Sequence, residues 1–353
     1  MADIKNRVLI ALDYDFTVSE SVQQEPLFKE FFDRIRSVYP TYRVLERVEK
    51  LGFNKELPVW GLPVEVKDCC DYFKVSDEQQ YKTPKGMGWM QQMLFDKDSI
   101  FEGKLTLEKF REVGQKGQVM SPGIPDGLWD LKKRYAARGV DVHFAIISIG
   151  LKEIIEASPI NDIKDGEHLI DAIYGGEFYY DASGSISRLA YCANSFDKTK
   201  GLMQIVKGSP DLLDKLVPRS NYQFDYQNII VVGDGFSDIS YFSYARQEGG
   251  IPIAVYKLND VNEYKKTYRE VGERVDAILP RDYRPGSRTV REFDRIITRM
   301  VDRQCRFSQS LLHEYKRQRI KDEPTILYIE KHLGNCTECK DEGAYGVRFV
   351  PPA

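Results

Sequence analysis

The sequence has no long hydrophobic run, little net charge and no repeated or low-complexity segment. No apolar stretch approaches the roughly 20 residues needed to span a bilayer, so a membrane protein is not expected. A net charge of −3 over 353 residues gives no general attraction to nucleic acid or to a membrane surface. The first residues are charged and lead directly into an apolar segment, so we expect no signal peptide and a cytoplasmic location.

The composition is that of a globular protein. With 42% hydrophobic and 12% aromatic residues, the chain can bury a large core and divide into two or three units. Strand-like segments alternate with segments of helical period, which predicts an α/β fold with a Rossmann-like parallel sheet and helices on both faces. The predicted strands are residues 8–12, 142–147, 228–232, 251–256 and 275–279, and a β-hairpin is predicted at 177–192.

Two aspartates, Asp13 and Asp15, follow the first apolar segment. Alternation along a strand points both side chains the same way, just past a strand end, where open α/β sheets bind ligands. Two close carboxylates repel each other and need a cation, and hard oxygen ligands suit Mg²⁺. The pattern indicates a carboxylate nucleophile with an acid/base partner, and hence phosphoryl transfer; the alternative is a loop of exposed acids.

Two later segments repeat this arrangement of an apolar strand followed by polar residues. One ends at Ser148 and Gly150, where the hydroxyl can donate to a phosphate oxygen. The other ends at Asp234, with Asp238 four residues later, so Asp234 is expected to supply the second metal carboxylate. Taken singly, the serine could be a helix N-cap and the aspartate a turn residue.

Two lysines, Lys198 and Lys200, stand at the start of a predicted helix. An ammonium group there can neutralise a phosphate and the nucleophile together, although surface lysines are the ordinary alternative. Lys200 is the predicted phosphate-binding lysine.

Four motifs occur along the chain in a fixed order: Asp-x-Asp-x-Thr, a strand that ends in serine, a lysine, and Gly-Asp-Gly-x-x-Asp. The set resembles the haloacid dehalogenase-like superfamily of phosphohydrolases, over about residues 5 to 300.

This resemblance implies a mechanism. Asp13 would attack phosphorus to give an aspartyl phosphate, while Asp15 protonates the leaving alcohol and then activates water. Mg²⁺ would be held by Asp13, the Asp15 main-chain carbonyl and Asp234, with Asp238 ordering the metal waters or Lys200. Members that cleave carbon–halogen bonds typically lack the second aspartate, so phosphate monoester hydrolysis is favoured. The residues expected to bind the phosphoryl group are Thr17, Ser148, Ile149, Gly150 and Lys200.

The resemblance also implies a division into a catalytic core, residues 1–20 and 121–302, and an inserted helical cap, residues 21–120. Within the cap, helices are predicted at 27–38, 42–51, 87–94 and 105–113. Such a cap would exclude water and select the leaving group. Phosphoserine phosphatases usually carry a glutamate nine residues after the nucleophile, whereas Val22 stands here, which argues against phosphoserine. Pyrimidine nucleotides, phosphocholine-type compounds, sugar phosphates and protein phosphoesters remain candidate substrates.

The C-terminal segment carries a separate pattern, C-x26-H-x3-C-x2-C, which fits tetrahedral structural zinc. It resembles the zinc-binding helical domain of anti-sigma factors over about residues 303 to 345, so 303–353 is predicted to be a small helical zinc-binding tail. His313 is the alternative fourth ligand, and unpaired surface thiols are the alternative interpretation. The predicted zinc ligands are Cys305, His332, Cys336 and Cys339.

Basic residues recur at every fourth position of a predicted helix before this tail. They form a ridge that is a candidate surface for an acidic partner or a nucleic-acid backbone, although a solvated face paired with Glu292 and Asp294 is the ordinary interpretation. The ridge residues are Arg291, Arg295, Arg299 and Arg303.

Two functions are therefore possible for this chain. The first is a Mg²⁺-dependent phosphomonoesterase acting on a small metabolite or nucleotide, or else on nucleic-acid ends or phosphoproteins. The second is a regulator that binds a protein or nucleic acid through the tail and ridge; clustered carboxylates favour the first.

Overall fold

The computed structural model describes residues 6–48, 57–83, 86–302, 315, 320–321 and 323–335. The strands are β1 (Arg7–Leu12), β2 (Thr41–Tyr42), β3 (Leu45–Val48), β4 (Leu57–Trp60), β5 (Val64–Glu65), β6 (Asp141–Leu151), β7 (Ile163–Lys164), β8 (Glu167–His168), β9 (Ile170–Tyr180), β10 (Ile186–Tyr191), β11 (Ile229–Gly233), β12 (Ile251–Tyr256) and β13 (Ala277–Pro280). The helices are α1 (Glu25–Glu30), α2 (Phe32–Val38), α3 (Asp71–Gln79), α4 (Gly88–Asp96), α5 (Leu107–Gly117), α6 (Asp126–Ala136), α7 (Lys152–Ala157), α8 (Ser195–Lys207), α9 (Ile239–Gln247), α10 (Val261–Val271), α11 (Arg288–Asp302) and α12 (Glu323–Asn335).

A seven-stranded sheet, in the order β10-β9-β6-β1-β11-β12-β13, forms the centre of the fold. Its strands are parallel except for the pair β9 and β10, which is antiparallel. The predicted parallel α/β sheet and the predicted hairpin are therefore confirmed. All five predicted strands are present, with bounds shifted by a few residues at most on the described chain.

Both faces of β1 are covered, which explains why its sequence is apolar throughout rather than alternating. Val8, Ile10 and Leu12 pack into one hydrophobic cluster with α6 and α11. Leu9 and Ala11 pack into a second cluster with α8 and α9 on the opposite face. Each buried aliphatic side chain of this kind stabilises the fold by about 1.5 to 3 kcal/mol, so the sheet is a firm support for the residues at its edge.

The register of the parallel strands brings three strand ends together at one edge of the sheet. Leu12, the last residue of β1, is level with Ile146 of β6 and with Val232 of β11. The next residue, Asp13, donates its main-chain N–H to the Val232 carbonyl at 2.8 Å. Because parallel strands end at the same edge, the polar residues that follow β1 and β11 and those in the last part of β6 meet there.

The insertion between β1 and α6 contains α1 to α5 and two short antiparallel strand pairs. Its hydrophobic cluster includes Leu151, Ile154 and Phe178, which belong to β6, α7 and β9, so the insertion shares its core with the sheet side. The two connecting segments run side by side: the Glu20 N–H donates to the Val119 carbonyl at 2.8 Å. The division into core and cap at residues 20 and 120 stays a prediction.

One predicted cap helix, at 42–51, is wrong. Its described residues contain β3, which pairs with β4 so that Leu45 is opposite Trp60 and Val48 is opposite Leu57. The apolar residues are spaced as in a helix, but the same spacing also allows a short strand. Here main-chain pairing with a distant segment decides the structure.

The predicted tail falls largely outside the described residues. Cys305, Cys336, Cys339 and His313 lie outside them, while His332 is known only by its backbone, in α12. The zinc site therefore stays a prediction. No helix in the described part of the chain combines the length and the apolar character needed to cross a membrane.

Candidate active site

Three acidic side chains meet at the carboxyl edge of the sheet. Asp13 follows β1, Asp234 follows β11, and Asp238 lies one turn further along; one oxygen from each lies within 4.8 Å of the others. Asp13 is 3% exposed and Asp238 is fully buried, whereas Asp234 is half-buried. Carboxylates this close destabilise one another unless a cation lies between them, so the cluster is costly to the fold.

Asp238 gives the turn after β11 its shape. Its Oδ2 accepts hydrogen bonds from the Asp234 N–H at 3.1 Å and the Gly235 N–H at 3.3 Å. A Cβ on Gly233 would lie 2.3 Å from the same Oδ2, so only glycine fits at that position. The spacing Gly-Asp-Gly-x-x-Asp therefore has a local cause, because the Asp238 carboxylate folds back over the main chain of Asp234 and Gly235.

A buried lysine, Lys198, completes the charge cluster. Its Nζ lies 2.8 Å from Asp13 Oδ1 and 2.6 Å from Asp238 Oδ1, and the side chain is 1% exposed. The structure thus places Lys198, and not the predicted Lys200, in contact with Asp13 and Asp238. Lys200 is half-buried, and its Nζ lies 5.4 Å from the centre of the Tyr191 ring, in a cation–π contact.

Helical phase explains why Lys198 rather than Lys200 reaches the site. Helix α8 begins after Asn194, whose side chain caps it, and its buried face includes Lys198, Leu202 and Val206 at intervals of four residues. Two residues further on, Lys200 points about 200° around the helix axis and lies on another face. Alignment of a lysine with the apolar stripe of its helix was a sequence signal that could have selected Lys198.

Burial or neighbouring charges raise the pKa values of Asp13, Asp15, Asp234 and Lys198. Burial raises the pKa of Asp13 to about 7, although Lys198 opposes the rise. Burial and the Asp13 charge raise the pKa of Asp15 to about 7 as well, and burial beside two acids raises that of Asp234 well above its usual range. Although burial acts against it, contact with Asp13 and Asp238 raises the pKa of Lys198, which stays charged. A carboxyl with a pKa near 7 suits acid/base catalysis.

Asp15 is held in place by Gln23, which the sequence did not reveal. The Asp15 Oδ1 accepts the Gln23 main-chain N–H at 2.9 Å. The Gln23 side chain is fully buried; its amide lies close enough to Asp15 to oppose the rise in the pKa of that carboxyl, but its Nε2 and Oε1 make no well-formed hydrogen bond. It covers Gly150, where an added Cβ would lie 1.9 Å from Nε2. An uncharged amide with free donors and an acceptor thus lies beside the acid/base candidate.

Two buried hydroxyls also lie on the segments that meet here. Thr17 is fully buried, and its Oγ1 has no hydrogen-bond partner. Ser148 is 1% exposed; its Oγ accepts the Gly150 N–H at 3.0 Å, and no acceptor for its own proton is found among the described residues. Ile149, which lies between Ser148 and Gly150 and was also predicted to contact the phosphate, is half-buried. An unsatisfied buried polar group costs about 1 to 3 kcal/mol, so free hydroxyls here are a feature of a site that binds a polar ligand.

The donor set fits a divalent cation of the Mg²⁺ class. Asp13 and Asp234 offer carboxylate oxygens, hard ligands of the kind Mg²⁺ prefers, in a cluster that holds more acids than cations. Asp238 has both oxygens engaged, with Lys198 and with the main chain of the turn. It therefore fits a supporting position better than a direct one. The role of the Asp15 carbonyl as a ligand stays a prediction.

The loop after Asp15 is fixed by residues from the far end of the sheet. Arg281, only 2% exposed, donates to the Phe16 carbonyl, and its Nη2 lies 3.1 Å from Glu20 Oε2. The Tyr283 hydroxyl donates to the Thr17 carbonyl at 3.1 Å. Phe16 adopts a φ of 53°, a left-handed conformation that is unfavourable for a residue with a side chain. These contacts hold the loop in that conformation.

The arginine positions of α11 lie on its exposed face, opposite buried residues of the same helix. Arg295 forms an ion pair with Glu292, as the ordinary interpretation of the ridge expected, whereas Asp294 pairs with Arg134 of α6 at 2.7 Å. Arg303 lies outside the described residues. Binding of nucleic acid by this face stays a prediction.

Comparison with known proteins gives distant likenesses. No model of a known protein family matches the chain. A Borreliella burgdorferi protein described as uncharacterized is 25% identical over 291 residues, which are 78% of this chain and 93% of that protein. A substrate-bound phosphoserine phosphatase structure covers 81% of this chain and 98% of its own, with 14% identity and a TM-score of 0.41.

A second solved structure is similar to the same extent. It is a variant of CbbY from Rhodobacter sphaeroides in complex with xylulose-(1,5)bisphosphate, which covers 80% of this chain and 97% of its own, with 14% identity and a TM-score of 0.40. Neither comparison supports the predicted zinc-binding tail. Likenesses this distant say nothing of the chemistry of this chain.

Proposed function

We propose that the protein is a Mg²⁺-dependent phosphatase that removes a phosphoryl group from a small phosphorylated substrate by way of Asp13. The observation that carries the proposal is the buried Lys198 ammonium held between Asp13 and Asp238, with Asp234 beside them. Three acids around one lysine leave an excess of negative charge at the edge of the sheet. A divalent cation and a phosphoryl group would satisfy that charge, the free Thr17 hydroxyl and the proton of the Ser148 hydroxyl.

In the first step, an Asp13 carboxylate oxygen forms a bond to phosphorus as the bond from phosphorus to the leaving alcohol breaks. Asp15, whose pKa of about 7 keeps a large fraction of it protonated at neutral pH, gives its proton to the departing oxygen. Lys198 lies against Asp13 and stabilises the charge on the transferring group, to which Ser148 and Thr17 donate hydrogen bonds. The product is the free alcohol and a phosphorylated Asp13.

In the second step, Asp15 takes a proton from water, whose oxygen then bonds to phosphorus as the bond to Asp13 breaks. Inorganic phosphate leaves, and both carboxyl groups return to their starting protonation states. Bound Mg²⁺, held by Asp13 and Asp234, would offset negative charge on the carboxylates and the phosphoryl oxygens. Asp238 would keep Lys198 and the turn around Asp234 in position.

The buried amide of Gln23 bears on the leaving group. An uncharged amide that offers donors and an acceptor fits a hydroxyl or carbonyl group better than an ammonium group, which a carboxylate would recognise. Together with Val22 at the position where phosphoserine phosphatases carry a glutamate, this favours sugar phosphates and nucleotides over phosphoserine. The substrate is therefore proposed to be a small phosphorylated metabolite or nucleotide with an uncharged leaving group.

The proposal is tested by hydrolysis of an aryl phosphate with Mg²⁺ and with a chelator. We expect turnover that depends on the metal. In Asp15→Asn, the step that needs a base should be slow, so a phosphorylated enzyme should accumulate, with the added group on the peptide that contains Asp13 in mass spectrometry. Metal-independent turnover, or a phosphoryl group found on another residue, would refute the proposal.

Four further expectations stay predictions. Metal analysis of the purified chain should show about one zinc that Cys336→Ser removes, as expected of a structural site. Binding of DNA or RNA through Arg291, Arg295 and Arg299 should weaken steeply with salt, and binding that ignores salt would argue against the ridge. The cytoplasmic location and a protein partner of the tail are likewise untested.

A further inference from the structure

Two adjacent cysteines in the insertion have their sulfur atoms close together. Cys69 Sγ and Cys70 Sγ are 4.0 Å apart in the turn that leads into α3. Cys69 is 5% exposed, and Cys70 is half-buried. An oxygen of the preceding residue, Asp68, lies within 4.8 Å of both sulfur atoms. Three groups able to bind a metal thus converge from three consecutive residues, in a place that the sequence patterns for metal sites do not reveal.

The separation of the sulfur atoms suits a shared metal ion better than a disulfide. Two metal–sulfur bonds of about 2.3 Å that meet at a trigonal or tetrahedral angle place their sulfur atoms about 3.8 to 4.0 Å apart. A disulfide needs sulfur atoms about 2.05 Å apart and Cα atoms about 4.4 to 6.8 Å apart. Adjacent residues have Cα atoms only about 3.8 Å apart, so Cys69 and Cys70 are poorly placed for one.

The turn that carries these groups is held by its own carboxylates. Asp71 Oδ2 accepts the Lys67 N–H at 2.9 Å and the Asp68 N–H at 3.0 Å. Asp68 Oδ1 accepts the Cys70 N–H at 2.8 Å, which leaves Oδ2 to act as a ligand. Because the main chain is already ordered, an ion bound here would lose little free energy to rearrangement of the turn.

The charges around the pair favour a cation. Asp68 and Glu25 place negative charge beside both thiols. A bound divalent cation would displace the thiol protons and face the negative charge of the same two acids. The nearby Lys29 is already paired with Glu25 at 2.6 Å.

We propose that Asp68, Cys69 and Cys70 bind one thiophilic d¹⁰ cation of the Zn²⁺ class, with a fourth position open to water. Two thiolates and one carboxylate form a donor set that selects such ions over Mg²⁺, which prefers oxygen. The site is separate from the carboxylate cluster around Asp13 and from the predicted tail. Cys69 belongs to the hydrophobic cluster of the insertion, so an ion bound here would stabilise that cluster.

Titration of the full chain with Cd²⁺ tests the proposal, because cadmium thiolates absorb in the near ultraviolet. We expect Cys70→Ser to lower the number of cadmium ions bound through sulfur by about one relative to the wild type, whatever the tail contributes. Cys192→Ser is the matched control: Cys192 is also half-buried and donates to the Met87 carbonyl, but has no described cysteine beside it, so its loss should leave the number unchanged.

A second variant covers the case in which Cys70→Ser does not fold. Asp68→Asn keeps both thiols and should weaken cadmium binding at this site by about tenfold, as loss of one ligand or its support does. Thermal unfolding should shift upward with Cd²⁺ more in the wild type than in either variant. Equal cadmium stoichiometry in the wild type and Cys70→Ser, or unchanged affinity in Asp68→Asn, would overturn the proposal.

Discussion

At its carboxyl edge the central sheet holds buried acids close together, and beside them the Gln23 amide and the Thr17 hydroxyl have no partner. At its amino edge it holds a smaller charged group whose members are paired with one another. There, the His143 ring lies 2.8 Å from Asp141 and 3.3 Å from Asp171, and Asp171 also accepts the Phe144 N–H. One strand, β6, carries His143 near its start and Ser148 near its end. The His143 group is satisfied within the fold, whereas the carboxyl edge keeps polar groups without a partner beside its acids, as expected where a ligand binds.

The strongest test of this contrast is Asp13→Asn. We expect phosphatase turnover to fall at least about 1,000-fold, because the nucleophile is lost. At pH 8 and without Mg²⁺, the free energy of unfolding should stay the same or rise by up to about 1 kcal/mol, since one of several crowded acids is neutralised. Turnover and urea unfolding measure the two effects. The exposed Asp214→Asn is the control and should change neither; wild-type turnover by Asp13→Asn would end the nucleophile assignment.

The second test removes the cation on which the carboxyl edge depends. Lys198→Met should lower turnover by about 100-fold or more and the free energy of unfolding by about 3 kcal/mol, because it leaves buried carboxylates without their partner. Lys200→Met is the matched control on the same helix. It should lose only the contact with Tyr191, worth about 0.5 to 1 kcal/mol, and keep turnover within a few-fold. Equal losses in both variants would contradict the placement of Lys198.

The third test concerns the free amide of Gln23. Gln23→Met keeps the length of the side chain and the main-chain bond to Asp15, but removes two unsatisfied polar atoms. The free energy of unfolding should therefore rise by about 1 kcal/mol. We expect kcat/KM to fall about tenfold for substrates whose leaving group carries hydroxyls, and to change little for an aryl phosphate. A variant that is less stable and equally active on all substrates would show that the amide is only structural.

The smallest effect is expected at the opposite edge. Despite burial, contacts with Asp171 and Asp141 raise the pKa of His143 above 6.5, so the folded protein binds its proton more tightly than the unfolded chain. The resulting stability is fully present below pH 6.5 and is lost as pH rises through the raised pKa. His143→Gln should therefore cost about 1 kcal/mol of unfolding free energy at pH 6 and less at pH 8.5, with turnover unchanged. A cost that grows with pH would reverse this interpretation.

Most strands of the sheet, and the acidic residues at its carboxyl edge, could be predicted from the sequence because they follow from short-range sequence patterns. Apolar segments of strand length gave β1, β6 and β11, and the polar residues that follow such segments collect at one edge of a parallel sheet. Asp13, Asp234 and Asp238 were found in this way. The turn of Asp238 over Gly233 is also local, because it joins residues only five positions apart.

The remaining site residues depend on distant contacts. To predict Lys198, one has to know which face of α8 packs against the sheet. Two lysines that are two residues apart do not give this information. Gln23 matters because it covers Gly150, and Arg281 because it reaches Phe16; no spacing in the sequence relates these partners. The helix predicted at 42–51 failed for the same reason, since pairing with β4 overrides local preference.

The shared hydrophobic core of the insertion has a consequence for how the chain can be divided. Deletion of residues 21–120 would expose several large apolar side chains to water, among them Leu151, Ile154 and Phe178. A shortened chain made of the sheet and its flanking helices should therefore aggregate. Exchange of this insertion for a foreign one would require matching changes on α7 and β9, which ties the proposed substrate-selecting region to the scaffold that carries Asp13, the proposed nucleophile.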